Sequence, residues 1–364
     1  MPPVTLFRYI ALRMIYGVGV LLLILSSLIL LIDLIENLRF ASKTDGGNFA
    51  LAATLTLMRV PAIAQSLIPF VFLFGSIWMF NQLNRRSEIA VMRSAGLSVW
   101  RLLGPASLIA AVTGLLIITV IDPLSSGLLS YSEQLKSQKE GSDNSLVRVF
   151  DDGIWLRQRD ATQQIIINAR NFDDERSALE KVTVWRFGAD SVFQERIDAT
   201  EAYLSGRTME LHEARLKSIT DQEERRSPIY AIQTALTSGD LRERVAPPET
   251  MSLWQLPRFI LLAEAAGLPT VRYHIRFHDL CATPLKLLAM VLIAAAFSLR
   301  PMRMGGALGL LIFSIGAGFL LYILSEISNA FGESGFAPVA LAAWAPALIA
   351  TLAAVTALLH LEDG

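Results

Sequence analysis

The chain has 364 residues, of which 53% are hydrophobic and 18% charged, and its mean hydropathy is +0.46. Lys and Arg number 32 against 33 Asp and Glu, a balance that argues against a nucleic-acid-binding surface. Cys281 is the single cysteine, so an intrachain disulfide is excluded.

Six long apolar stretches dominate the sequence. They cover residues 14–32, 61–80, 102–121, 280–299, 304–325 and 334–359, and all but the fourth lack Asp, Glu, Lys and Arg. Each is near or above the ~20 residues that a helix needs to cross ~30 Å of hydrocarbon. We therefore predict three membrane spans in residues 1–121, a water-facing domain in 122–279 and three more spans in 280–364. The first stretch could instead be a cleaved signal sequence, but it is long for one, and we favour a retained anchor.

Basic residues in the short loops predict the orientation of the spans. The side of the termini collects eight of them: Arg8, Arg13, Arg85, Arg86, Arg93, Arg101, Arg300 and Arg303. The opposite side collects three: Arg39, Lys43 and Arg59. We expect cytoplasmic termini and an extracytoplasmic middle domain. Residues 33–59 are expected to form a short extracytoplasmic loop, in which Asp33 and Glu36 end the first helix.

The middle domain holds 45 of the 65 charged residues, 20 basic and 25 acidic, which is typical of a solvated folded domain. Short β-branched and aromatic runs flank the turn signals Asp151-Asp152-Gly153 and Ser205-Gly206. They predict antiparallel strands in a sandwich or jelly-roll. Residues 252–266 return to a helical pattern, with Ser252 as N-cap. This helix either lies in the membrane interface or packs on the β domain. The predicted fold class is thus a six-span α-helical membrane protein with an inserted β-jellyroll-like domain.

No catalytic motif is recognisable. Ser42-Lys43-Thr44 lacks the glycines of a phosphate-binding loop. His274 and His278 have metal-ligand spacing, but beyond Asp279 no third ligand is obvious, and we favour two interfacial histidines. We predict that the chain is not an enzyme by itself and binds no metal or cofactor.

Residues 84–98, Asn-Arg-Arg-Ser-Glu-Ile-Ala-Val-Met-Arg-Ser-Ala-Gly-Leu-Ser, predict a short helix over 87–95 that stops at Gly96. This segment resembles the helix between spans two and three of the lipopolysaccharide-export permeases, the F and G subunits of the Lpt ABC transporter. The three-span, β-domain, three-span layout is similar too, as is the entry to the fourth span around Pro284. Residues 301–346 resemble the G subunit more than the F subunit.

The resemblance implies an inner-membrane permease subunit that extracts lipopolysaccharide from the outer leaflet and passes it to a periplasmic β-jellyroll bridge. It implies an LptF-like permease, two copies of a cytoplasmic LptB-like ATPase that uses ATP and Mg²⁺, and a single-span LptC-like bridge protein as partners, with membrane lipid around them. It makes residues 85–96 the coupling helix that the ATPase grips. The residues implied are Arg85, Arg86, Glu88, Ile89, Met92 and Arg93. The alternative is that the arginines only set the orientation.

Candidate contacts to the lipid headgroup are Arg39 and Lys43, beyond span one, and Lys286, inside span four. Asp33, Glu36 and Asn37 depart from the basic character that the family has near span one. Lys286 either contacts a headgroup or partner, or extends its amine to the interface. Three other functions stay open: the F-type subunit, a mechanotransmission permease with four spans, and a scaffold without transport.

Overall fold

The computed structural model describes residues 3–44, 47–139, 146–150, 153–159, 163–173, 176, 178–188, 192–205, 208–218, 224–234, 247–299 and 307–363. The chain divides into two compact units. Residues 1–132 and 275–364 form a helical unit, and residues 133–274 form a sheet unit. Six helices in the described residues are long and apolar enough to span a membrane. The six predicted spans are thereby confirmed, although their ends differ.

The first two spans are much longer than their apolar stretches. Helix α1 runs over Pro3–Lys43 and α2 over Phe49–Arg85, where Asn48 caps α2 by accepting the Leu51 N–H at 2.9 Å. The predicted loop over residues 33–59 is therefore wrong, because most of it is helical. Asp33 and Asn37 of α1 contact Arg59 and Thr56 of α2 directly, so they need no turn to reach partners.

The third span continues beyond the predicted domain boundary. Helix α3 covers Glu88–Ser94, α4 covers Val99–Leu116, a π-helical turn covers Ile117–Ile121 and α5 covers Asp122–Lys139. The expectation that the middle domain begins at residue 122 is corrected, since the helical unit extends to residue 132. Asp122 and Pro123 are typical of a helix end, but here the π-helical turn leads directly into α5 and the helix continues.

The second group of spans consists of α7 over Val271–Ser298, α8 over Ala307–Glu333 and α9 over Val339–Asp363. Arg300 and Arg303, which contribute to the predicted orientation, lie outside the described residues. Helices α4 and α7 approach closely at Gly114, where an added Cβ would lie 2.5 Å from Pro284 Cα. Glycine is required there because the two backbones leave no room for a side chain. The core of the helical unit is built from buried aliphatic and aromatic side chains such as Phe72, Leu103 and Leu287.

The sheet unit contains seven described strands in one antiparallel sheet. They are β1 (Leu146–Phe150), β2 (Gly153–Arg159), β3 (Gln163–Asp173), β4 (Ala178–Gly188), β5 (Phe193–Ser205), β6 (Thr208–Ser218) and β7 (Arg225–Gln233). Each pairs with its neighbour in the chain, so their order is β1 to β7. The β-rich, antiparallel domain is confirmed. Its described strands connect as a meander, within one sheet and without the strand crossing of a Greek key.

Both predicted hairpins are present. Phe150 pairs with Gly153, and Ser205 pairs with Thr208. Asp151, Asp152 and Gly206, which supplied the turn signals, lie outside the described residues. Gly153 has a φ of +117°, a conformation that side chains strongly disfavour.

The sheet is curled around an apolar face. Alternate residues on its strands are buried, including Ile154, Leu156, Ile165, Ile167, Val182, Val184, Ile197, Met209 and Leu211. The Thr234 hydroxyl, just beyond β7, lies 3.0 Å from Gln158 Oε1 on β2. Strand β2 and the end of β7 lie near opposite ends of the strand order, yet they are close in space. The sheet therefore curls and encloses its apolar face, as a jelly-roll does.

The predicted helix over residues 252–266 begins later than expected. Helix α6 covers Leu256–Ala265, because Ser252 belongs to a preceding turn in which its carbonyl accepts the N–H groups of Gln255 and Leu256. Leu256, Ile260 and Ala263 are buried, and the Phe172 N–H of β3 donates to the Ala266 carbonyl at 2.9 Å. The helix therefore packs on the sheet, which favours that alternative over a position in the membrane interface.

Candidate functional site

The short helix predicted within residues 85–96 is present as α3, a separate element, and its role in coupling stays a prediction. Ser87 precedes it with a φ of +57°, and Gly96 follows it with a φ of +77°. These left-handed residues separate α3 from α2 on one side and from α4 on the other. At the C-terminus the Leu97 N–H donates to the Met92 carbonyl at 3.2 Å, which is the hydrogen bond of a Schellman motif. The local sequence thus isolates two turns of helix at the end of a span.

The apolar face of α3 packs into its own helical unit. Ile89 is 5% exposed and belongs to the core, and Met92 packs against that core. Ile89 was expected to contact a partner, but the structure places it inside the chain. It fastens α3 to the core of the helical unit.

The opposite face of α3 is open. Val91 is 65% exposed, and the side chains of Arg85, Arg86 and Arg93 are exposed as well. Val91 was not predicted as a site residue, although an apolar residue between arginines is a signal of a contact surface. Val91 points away from Ile89, Arg93 is exposed at the side of α3, and Arg85 and Arg86 are exposed at the end of α2. We call these four exposed residues together the outer face of α3.

Glu88 joins α3 to α1. The Tyr9 hydroxyl donates to Glu88 Oε2 at 2.7 Å, and Arg13 Nη2 lies 3.5 Å from Glu88 Oε1. The Arg13 guanidinium also lies over the Tyr9 ring, 4.4 Å from its centroid. The Glu88 carboxylate was expected to face a partner, whereas here it is held by two side chains of α1. Tyr9 and Arg13 were missed as contacts because more than 70 residues separate them from Glu88.

A second polar cluster lies between the far end of α1 and the start of α2. Arg59 Nη1 donates to Asp33 Oδ1 at 2.7 Å, and Asn37 Nδ2 donates to Asp33 Oδ2 at 2.8 Å and to Thr56 Oγ1 at 3.0 Å. Asp33, Asn37 and Thr56 are buried. Arg39 and Lys43, the candidate headgroup contacts, are exposed near the end of the same helix.

A third cluster follows the π-helical turn. The Asp122 side chain is fully buried, and its Oδ1 accepts from Gln65 Nε2 at 3.2 Å and from Arg276 Nη2 at 3.0 Å. The Ser125 hydroxyl donates to Gln65 Oε1 at 3.0 Å. This cluster joins α2, α5 and α7. A π-turn adds one residue to a helix and rotates the residues after it about the helix axis, which sets the direction of the α5 side chains.

Lys286 forms an ion pair with Asp279 on the same helix, α7. Asn329 of α8 lies 3.4 Å from the same carboxylate oxygen. The Lys286 side chain is 14% exposed. A paired intramembrane charge is far less costly than an isolated one. The structure therefore gives Lys286 a partner within the chain rather than a path to the interface.

His274, weighed in the sequence as a metal ligand, contacts α6. Its Nε2 lies 3.0 Å from Glu264 Oε1, and the Thr270 hydroxyl lies 3.3 Å from the same oxygen. The hydrogen bond with His274, with a smaller contribution from Thr270, holds the pKa of Glu264 below its usual value of 4.5. This pair fixes the start of α7 against the end of α6.

An apolar groove of about 500 Å³ lies between α7, α8 and α9. Its walls include Phe297 of α7, Leu324 and Phe331 of α8, and Pro346 and Ala353 of α9. The small alanine side chains along α9 leave space in the groove on that side. A groove with this lining suits hydrocarbon chains.

Comparison with known proteins agrees with this architecture. Residues 8–360 match the family model of the lipopolysaccharide export system permease LptF/LptG. The chain is 22% identical over 358 residues to the lipopolysaccharide export system permease protein LptG of Escherichia coli strain K12, covering 95% of this chain and 93% of that protein. It is 23% identical over 337 residues to the protein of the same name from Haemophilus influenzae, covering 89% of each. The family resemblance drawn from residues 84–98 and the span layout is confirmed.

Proposed function

The chain belongs to the lipopolysaccharide export system permease LptF/LptG family, and from this premise we propose that it extracts lipopolysaccharide with energy supplied by a partner ATPase. As a member of the family it is a multi-pass inner-membrane subunit of a transporter, with lipopolysaccharide as cargo and a second permease as partner. Its spans and the partner's spans enclose the lipid. We infer a G-type subunit, because the similar curated proteins carry that name.

The observation that carries the coupling step is the construction of α3. One face is fastened to the core through Ile89, Glu88 is bonded to α1, and the outer face with Val91 and Arg93 is open. An ATPase that closes on ATP presses on this outer face. The displacement of α3 is then transmitted to both α1 and α2, because α3 is hydrogen-bonded to α1 and directly follows α2 in the chain.

The lipid moves along two apolar surfaces of the chain, the groove between α7, α8 and α9 and the apolar face of the sheet. The groove between α7, α8 and α9 offers a wall for acyl chains, and Arg39 and Lys43 provide cations for headgroup phosphates near the far end of α1. The enclosed apolar face of the sheet receives the extracted chains. The edge strand β7 pairs with the next jelly-roll, that of an LptC-like bridge, by adding strands.

Two alternatives fit less well. A mechanotransmission permease usually has four spans, whereas six membrane-length helices occur in the described residues. A scaffold without transport would leave the outer face of α3 without a role. We place the termini and α3 in the cytoplasm and the sheet unit in the periplasm, as the arginines of the short loops predict. Reporter fusions at both termini and in the sheet unit test this orientation.

Reconstitution tests the function. The chain, its companion permease and the ATPase are placed in liposomes with lipopolysaccharide, and release of lipid to a soluble jelly-roll acceptor is measured against ATP hydrolysed. A Val91→Glu/Arg93→Glu double variant should lower release per ATP at least tenfold. The matched control is Arg101→Glu, an exposed arginine at the start of α4. Normal release from the double variant would overturn the proposed coupling.

A further inference from the structure

A cavity of about 290 Å³ opens between α1 and α2, near the end that carries α3. Its α1 wall consists of Tyr9, Leu12, Arg13 and Tyr16, at helical spacing on one stripe, and its α2 wall includes Trp78 and Gln82. We call it the Arg13 pocket. On the neighbouring face of α1, Ile10 and Met14 are fully buried, so the pocket lies beside the α1–α2 contact and not within it.

The Arg13 guanidinium lines this pocket with a side chain that is 18% exposed, and it is weakly paired. Its Nη2 makes one long contact to Glu88, and its Nη1 is buried without a hydrogen-bond partner among the described residues. A buried cationic donor without an acceptor is costly. Phosphate oxygens in the pocket would add a counter-charge and acceptors for the exposed part of the guanidinium, whose contact with Glu88 is long.

The other walls indicate a lipid rather than a soluble anion. Tyr16 and Trp78 form an aromatic pair with ring centroids 6.0 Å apart, and both are substantially exposed. Aromatic residues of this kind concentrate where the hydrocarbon meets the headgroups. The pocket lies where the apolar stretch of α1 begins and that of α2 ends, which is the same level. Leu12, 55% exposed, continues the wall as an apolar surface for an acyl chain.

The size of the cavity fits a headgroup. A water molecule occupies ~30 Å³ of liquid, so the cavity holds the equivalent of about ten waters. This is enough for a glycerophosphate group but not for the several acyl chains of lipopolysaccharide. Arg85 and Arg86 are exposed at the same end of the helices and add positive potential around the entrance.

We propose that the Arg13 pocket binds the phosphate headgroup of an anionic phospholipid from the leaflet on the α3 side. This site is distinct from the path proposed for lipopolysaccharide, and phospholipid binding to it does not depend on lipopolysaccharide transport. Because Arg13 and Tyr9 also hold Glu88, an occupied pocket fixes the guanidinium and steadies the link between α1 and α3.

Native mass spectrometry of the full chain in detergent with phosphatidylglycerol tests the proposal. The wild type should retain phosphatidylglycerol more strongly than phosphatidylcholine. Two variants should each lower retention at least fivefold: Arg13→Gln, which removes the cation, and Leu12→Trp, which fills the pocket and leaves the Arg13–Glu88 contact in place. The control is Arg8→Gln, an exposed arginine near the pocket on α1, with retention near that of the wild type.

Three results would overturn the proposal. Equal loss in Arg8→Gln and Arg13→Gln would show only diffuse surface charge. Unchanged retention in a folded Leu12→Trp variant would place the lipid elsewhere. Displacement of phosphatidylglycerol by millimolar inorganic phosphate would identify a site for a soluble anion. Circular dichroism of each variant confirms its helical content, so that a folding defect is not mistaken for lost binding.

Discussion

The two ends of the α1–α2 pair are built differently. At one end Asp33 is buried and accepts hydrogen bonds from Arg59 and Asn37. At the other end Glu88 is partly exposed, its contact with Arg13 is long, and a cavity lies beside it. The first end is held by short hydrogen bonds to a buried carboxylate, and the second retains an unused donor and open space. Buried polar bonding fixes the geometry where the helices must stay together, whereas loose bonding leaves the α3 end able to adjust.

The largest effect is expected at Asp122, which belongs to the same tightly bonded class as Asp33. Asp122→Ala removes the acceptor for Arg276 and Gln65 in a fully buried position. Leaving the arginine without its partner should lower the free energy of unfolding by about 3 kcal/mol. Thermal unfolding of the purified chain in detergent measures the loss. Glu133→Ala, an exposed carboxylate on the same helix α5, is the control, and equal melting of the two variants would contradict the role of the cluster.

Asp33→Ala should have the next largest effect, about 2 kcal/mol, because the Arg59 side chain is 31% exposed and water can partly replace the lost carboxylate. Glu36→Ala removes an exposed carboxylate from the same helix and should change stability by less than about 0.5 kcal/mol. Equal melting temperatures for Asp33→Ala and Glu36→Ala would show that the Asp33 cluster stabilises the protein no more than an exposed carboxylate on α1 does.

Tyr9→Phe tests the loose end. The variant loses the hydroxyl that donates to Glu88 and little else, so stability should fall by less than about 1 kcal/mol. Release of lipopolysaccharide per ATP should nevertheless fall several-fold, since α3 is then less firmly joined to α1. Tyr16→Phe, which removes the hydroxyl of an exposed tyrosine further along α1, serves as the control. A large loss of stability in Tyr9→Phe with unchanged lipopolysaccharide release would contradict the description of the α3 end as loosely bonded.

The smallest effect concerns pH and a residue of the sheet unit, Glu264. The pKa of Glu264 is lowered by its hydrogen bonds with His274 and Thr270, so its contribution to stability is complete above about pH 4.5 and is lost as the pH falls through the lowered value. The difference in melting temperature between wild type and Glu264→Gln should therefore shrink in acid below that pH. A difference that grew in acid would contradict the direction of the shift.

The spans, α3 and the strands could be predicted because each depends on local pattern. Apolar length indicated the six spans, Gly96 marked the end of α3, and β-branched runs around turn residues indicated strands. The ends of the long helices could not be predicted. Asp33, Glu36 and Asn37 are typical of a loop, and only the contacts of this segment with Arg59 and Thr56, about 20 residues away, make a helix favourable there.

The position of the short helix could be predicted, but not which of its faces is open. Residues 85–96 do contain a separate helix, yet which face is open depends on the packing of Ile89 among distant residues such as Val99 and Leu102. Lys286 was weighed as a residue reaching for the interface, because the sequence does not show that Asp279, two turns earlier, points at it. Pairings of this kind depend on side-chain direction, and a single sequence carries only spacing.

Helix α1 has one further consequence. It runs for 41 residues with no proline after its first position, whereas α2 contains Pro61 and Pro69. Arg13 and Asp33 are 20 residues apart along it, so the two clusters are separated by about 30 Å, the thickness of the hydrocarbon layer. An unbroken rod of that length that tilts by about 5° shifts its far tip by roughly 3 Å. A displacement at one cluster can thus reach the other through the backbone of a single helix.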